Sequence, residues 1–113
     1  MQTYNFKEHN KGDSFDGIIF TVSRNESPLN LTDVKIRMQF RLTPTNPNAI
    51  ELSSEKEDEI EITNAAAGEF TVLEQIIDFP AGDYVYDIQF EFPDESIKTY
   101  ISGKWKILQD ITH

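Results

Sequence analysis

Cysteine is missing from this chain, which excludes disulfides, thiolate metal sites and thiol catalysis together. Histidine occurs only as His9 and His113, so triad and imidazole chemistry have very few starting points. Basic residues are scarce: ten stand against twenty acids, for a formal net charge of −10. A field of that sign repels phosphate backbones and anionic lipid, and predicts no nucleic-acid and no membrane partner. Long apolar runs and glycine-rich phosphate loops are lacking as well. The opening residues carry Lys7, Glu8, His9, Lys11 and Asp13, which predicts neither a signal peptide nor a transmembrane span and points to synthesis in a cytosol.

What the chain does have is enough for a core. Its 113 residues are one domain's worth, so a single domain over 1–113 is expected. A hydrophobic fraction of 38% with eight Phe, four Tyr and one Trp is too rich for a disordered chain. Val34, Ile36, Met38, Phe40 and Leu42 alternate with Lys35, Arg37, Gln39 and Arg41, the period-two pattern of a strand with one dry and one wet face. Tyr84, Tyr86, Ile88, Phe90 and Phe92 repeat it, with Val85 the exception. Shorter strands are expected at 3–6, 15–23, 49–52, 59–63 and 69–73, and a last ribbon at 97–108. Turn-formers separate them, among them Asn10-Lys11-Gly12-Asp13, Pro44-Thr45-Asn46-Pro47 and Pro80-Ala81-Gly82. Short strands at regular spacing predict an all-β fold, an antiparallel two-sheet β-sandwich with Val34, Ile36, Met38, Phe40, Ile88, Phe90 and Trp105 in its core. Asn64 to Gly68 suits one short helical turn or a loop, and Gly103 suits a bulge or bend.

Each candidate for chemistry has a plainer reading beside it. The run Glu55-Lys56-Glu57-Asp58-Glu59 offers carboxylates to a hard cation, yet it lacks the turn glycine and alternate spacing of a calcium loop, so a solvated hairpin tip is expected. Asp78 and Asp87 suggest a carboxylate pair, but nothing in the sequence builds a pocket around them. Tyr84, Tyr86, Phe90, Phe92, Tyr100 and Trp105 would suit a stacking platform for sugars or bases; alternation favours core, with Val85, Tyr100 and Leu108 breaking it and exposed. The sequons at Asn25 and Asn30 read as accidents without a secretion signal. No catalytic, cofactor-binding or metal-binding residue is assigned, no cofactor is expected, and the enzyme class is disfavoured.

One stretch carries a mechanism. In Asp78-Phe79-Pro80-Ala81-Gly82-Asp83-Tyr84-Val85-Tyr86, Tyr84 is placed to bond its hydroxyl to upstream backbone, as a tyrosine corner of immunoglobulin-like sandwiches does. An antibody-type domain is excluded, because Tyr86 stands where its second cysteine would be.

The succession Lys11-Gly12-Asp13-Ser14-Phe15, Pro28-Leu29-Asn30-Leu31-Thr32, Ala67-Gly68-Glu69-Phe70, Phe79 to Ile88, and Thr99 to Trp105 with Gln109-Asp110-Ile111-Thr112 spans nearly the whole chain. In order and spacing it resembles small immunoglobulin-like domains of bacteriophage tails, and is similar to the N-terminal domain of upper baseplate proteins. That family shares an Ala-Gly-x-Tyr-x-Tyr-Asp step and a closing Gly-x-x-x-Val-x-x-Asp-Val-Thr step; Ile107 and Ile111 stand here for the valines. Family members continue into a stalk or receptor-binding region, so a free-standing tail accessory protein and a segment of something longer are both open. The resemblance implies a non-enzymatic structural component of a phage or prophage tail or baseplate. It would dock to other phage tail proteins, with a homo-oligomer also open, in a virion assembled in the bacterial host cytoplasm. A carbohydrate- or receptor-binding module is the alternative.

Overall fold

The computed structural model describes residues 2–24, 26–42, 50–77 and 79–109. In chain order the strands are β1 (Gln2–Thr3), β2 (His9–Asn10), β3 (Ser14–Phe15), β4 (Ile18–Thr21), β5 (Ser23–Arg24), β6 (Ser27–Pro28), β7 (Lys35–Arg41), β8 (Ile50–Ser53), β9 (Ile60–Asn64), β10 (Glu69–Val72), β11 (Gln75–Ile76), β12 (Gly82–Glu91) and β13 (Ile97–Leu108). Among the described residues the one helical element is a 3-10 turn, Ala65–Ala67. Asn64 caps it by accepting the Ala67 N–H at 3.3 Å, and Gly68 ends it.

The fold is all-β, in several sheets. Six strands form the largest, ordered β1-β13-β12-β7-β8 with β2 also on β13. A second is ordered β4-β10-β9, and β3/β11 and β5/β6 are two-stranded pairs. The two long alternating segments become β7 and β12, paired antiparallel from Val85↔Arg41 to Glu91↔Lys35. Their inward side chains follow the period: Ile36, Met38 and Phe40 on β7, and Tyr84, Tyr86, Ile88 and Phe90 on β12, are all buried. Every residue expected in the core is there, Val34 and Trp105 included. Phe70 of β10 meets Phe90 edge-on at 5.7 Å and stacks on Phe20 of β4 at 5.3 Å, tying the two larger sheets into one cluster. Each fully buried Phe, Ile or Leu in it is worth roughly 1.5–3 kcal/mol.

Four expectations need correction. The fold is not wholly antiparallel: β1 and β2 run parallel to β13, because residues 2–10 lie along its outer edge in its own direction. The strand expected at 15–23 is broken into β3, β4 and β5, since Gly17 turns the backbone to φ +89 beside the Val72 carbonyl. The run at 55–59 is no hairpin tip, because β8 pairs with β7 and β9 with β10, so it crosses between sheets. Gly103 sits in unbroken pairing with Tyr86, and the irregularity falls instead between Ile88 and Gln89, opposite Tyr100.

That bulge explains why Tyr100 departs from the alternation. It also leaves Tyr100 half-buried against Phe90 and Phe92 rather than exposed, and Val85 and Leu108 are half-buried too. Gly103 has a different reason. A Cβ there would lie 1.8 Å from the Tyr4 carbonyl oxygen and 2.9 Å from the Tyr86 ring, so only glycine lets the N-terminal segment approach β13. Three polar anchors hold that segment: the Tyr86 hydroxyl donates to the Tyr4 carbonyl, the Trp105 indole N–H to the Lys7 carbonyl at 3.0 Å, and the Lys104 N–H to Asn5 Oδ1 at 3.0 Å. Phe6 then stacks on Trp105 at 4.5 Å.

Gly103→Ala should therefore lower stability by about 1–3 kcal/mol, as overpacking of a tight core does, and speed amide exchange at Tyr4 and Phe6, which bond to the Ser102 and Lys104 carbonyls. Urea unfolding with hydrogen exchange checks both; an unchanged midpoint overturns the close-approach account.

Candidate functional site

The outer face of the six-stranded sheet is a polar surface built by regular strands. Register sets its rows: Arg41, Val85 and Lys104 lie side by side, then Gln39, Asp87, Ser102 and Thr3, then Arg37, Gln89 and Thr99. Small side chains at Thr3, Val85 and Ser102 make an open groove of about 570 Å³, flanked by Arg41 and Lys104. Charges on this face pair among themselves: Arg37 Nη2 bonds Glu91 Oε1 at 3.2 Å, Arg41 Nη2 donates to Gln39 Oε1 at 2.8 Å, and Arg41 Nη1 lies 3.8 Å from Asp87 Oδ2.

Asp87 is the strained member. Its Oδ1 is buried without a hydrogen-bond partner. Burial raises its pKa above the ordinary carboxylate value, and the Arg41 guanidinium only partly offsets that. Desolvation likewise raises Tyr84 and Tyr86, with Tyr4 adding to the effect at Tyr86, so both phenols stay protonated and serve as donors. The Tyr84 hydroxyl donates to the Pro80 carbonyl at 2.7 Å, the bond expected from the stretch around Gly82.

The remaining candidates are taken up by local structure. His9 Nε2 lies 2.9 Å from the Asp13 carbonyl oxygen, and its ring neighbours Phe15 and Trp105; among the described residues no serine or carboxylate side chain is bonded to it. Glu59 Oε1 accepts the Ser53 N–H at 2.8 Å and Glu55 lies 3.7 Å from Lys35 Nζ, so the acidic crossover closes on protein groups. Among the described residues no three His, Asp or Glu side chains gather as a metal site. Asn30 Oδ1 accepts from the N–H and hydroxyl of Thr32, a local Asx turn. Of the six aromatics weighed as a stacking platform, Tyr84, Tyr86, Phe90 and Trp105 are core, and Phe92 and Tyr100 border it. Asn25, Asp78 and His113 lie outside the described residues, so the Asp78–Asp87 pairing does too. No helix is long and apolar enough to cross a membrane among the described residues.

Sequence reasoning missed that β4 is, among the described residues, an end strand of its sheet. Its signal was present in Ile18-Ile19-Phe20-Thr21, an uncharged run whose alternation breaks at Ile19, which is 63% exposed.

No protein-family model matches the chain, and no curated protein matches it.

Because the folded pKa of Asp87 is raised, the native state holds its proton to higher pH than the unfolded chain. Its ionisation thus costs stability as pH rises through the window above the ordinary carboxylate value. Asp87→Asn should be more stable than the parent at neutral pH, with the difference vanishing in acid. Urea midpoints at the two pH values test this; an asparagine variant weaker at neutral pH would mean that the Arg41 pairing outweighs burial.

Proposed function

We propose that this chain is an immunoglobulin-like sandwich of two packed sheets that works by docking to other proteins, as a non-enzymatic structural component of a phage or prophage tail or baseplate. Strand order supports the topology. The path β13-β12-β7-β8 corresponds to the G, F, C and C′ strands of variable-type domains, and β4-β10-β9 to B, E and D. The observation that carries the reading is the Tyr84-to-Pro80 bond, two residues before Tyr86. It falls on the Ala-Gly-x-Tyr-x-Tyr-Asp step through which the sequence resembles baseplate domains, so the motif's chemistry and its place in the fold agree.

Docking is the function that this architecture serves most directly. Among the described residues, strands β4, β8 and β9 each end a sheet path with one side not taken up by another strand. Such edges present N–H and C=O groups that a partner strand can pair with. The partners are other tail proteins, or further copies of the chain, in a virion built in the host cytoplasm.

Mass spectrometry of purified phage or induced-prophage particles from the source strain tests this reading. The chain should be present in a fixed ratio to other tail proteins. Its absence from particles would remove the structural role.

A further inference from the structure

Charge divides by sheet. The six-stranded sheet carries Lys35, Arg37, Arg41, Lys98, Lys104 and Lys106, whereas β4, β9 and β10 carry Glu61 and Glu69 and no basic residue. Arg37 and Arg41 lie against acids of their own sheet, and Lys35 lies against Glu55 and Glu91. Lys104 and Lys106 differ. Both are exposed on the outer face of β13, alternating with buried Trp105 and Ile107, and no described carboxylate is within ion-pair distance of either.

Beside these lysines opens a cleft of about 580 Å³, lined by Phe6, Leu42, Val85 and Trp105, with Asp83 its one acid. Leu42 is exposed there. On the outer face of the smaller sheet the exposed apolar group is Ile19, in a ladder row with Thr71 and Glu61, and the next row holds Thr21 and Glu69. No described cation pairs with either carboxylate: Glu69 accepts from the Thr63 hydroxyl at 2.8 Å, and Lys35, which shares a cleft with Glu61, is held by Glu55 and Glu91. The spacings match. Successive outward residues of a strand stand about 7 Å apart, as Lys104 and Lys106 do, and diagonal neighbours across a ladder about 7–8 Å, as Glu61 and Glu69 do.

An apolar knob and a complementary cleft elsewhere on the same chain make a head-to-tail contact, one face of each copy meeting the other face of the next. A net charge of −10 per copy opposes it at long range. Salt confines that repulsion to about 10 Å at 0.1 M, and partly buried opposite charges in contact are screened far less.

We infer that the chain associates head to tail with further copies of itself, Ile19 of one copy entering the Leu42 cleft of the next, where Glu61 and Glu69 meet Lys104 and Lys106. Each pair leaves one face of either kind unused, so the contact propagates into a ring or a filament. It rests on the docking reading above and names a further copy as the partner.

Sedimentation velocity of the full chain, at concentrations up to about 1 mM and about 0.15 M salt, should show mass rising with concentration. Lys104→Glu with Lys106→Glu, and separately Glu61→Lys with Glu69→Lys, should each weaken association about tenfold or more, since like charges then face each other. Mixing the two variants puts opposite charges across every contact between unlike copies and should return the parent's association. Glu61→Lys alone takes the place of the second variant if loss of the Thr63 bond unfolds it. A parent that stays monomeric throughout, association that survives both reversals, or a mixture no heavier than its components would each overturn the inference. Particle mass spectrometry is independent of these outcomes: a chain present in virions yet monomeric in solution would sink the inference and leave the tail reading standing.

Discussion

The antiparallel seating of β12 between β7 and β13 is the interaction on which the other elements depend. One strand of this length, its burial alternating from Tyr84 to Glu91, decides at once which side of the sheet is dry. Tyr84, Tyr86, Ile88 and Phe90 commit one face to the core, and Asp83, Asp87, Gln89 and Glu91 commit the other to water. A slip of one residue against either neighbour would bury carboxylates and expose rings, so the register is steeply specified. Through Phe90 the same strand fixes where Phe70, and with it the β4-β10-β9 sheet, can pack.

Burying two tyrosines in that face creates a second constraint. A buried hydroxyl without a partner costs on the order of 1–3 kcal/mol, so each phenol needs an acceptor. Tyr84 finds the Pro80 carbonyl and fastens the corner that leads into β12. Tyr86 finds the Tyr4 carbonyl, and the need of one side chain thereby fixes the course of the N-terminal segment along β13. Trp105 repeats the device three residues along with Lys7. Gly103 clears the space that the Tyr86 bond requires. The parallel pairing of β1 and β2 is thus a consequence of satisfying buried donors, with little contributed by strand propensity in residues 2–10.

These two constraints differ in how legible they are in a sequence. Alternation is a local pattern, and β7, β12 and seven core residues could be read from it directly. Of the two local readings open to Asn64 to Gly68, a loop or one helical turn, the structure has the turn, with cap and terminator flanking it closely. The corner bond was legible because its donor and acceptor lie four residues apart. Gly103 was not, because what it accommodates is backbone ninety-nine positions away. The acidic run at 55–59 misled for a related reason: a hairpin and a crossover look alike locally, and only the pairing of β8 with β7 and β9 with β10 separates them. Asp87 showed nothing of its state in the sequence, since half-burial without a full set of partners depends on neighbours from three strands.

The same contrast bears on where such a chain meets others. On the six-stranded sheet Arg37 bonds Glu91 and Arg41 lies against Asp87, so these charges of its outer face are paired within the sheet. The smaller sheet does the reverse. Its acids have no basic residue on their own strands, Thr63 donates to Glu69 in place of a cation, and one of its edges is uncharged. Uncovered backbone groups at an edge return nothing to stability beyond their bonds to water, and natural sheets commonly guard them with charge. An edge left unguarded in a chain so rich in acids is not explained by a shortage of charged side chains.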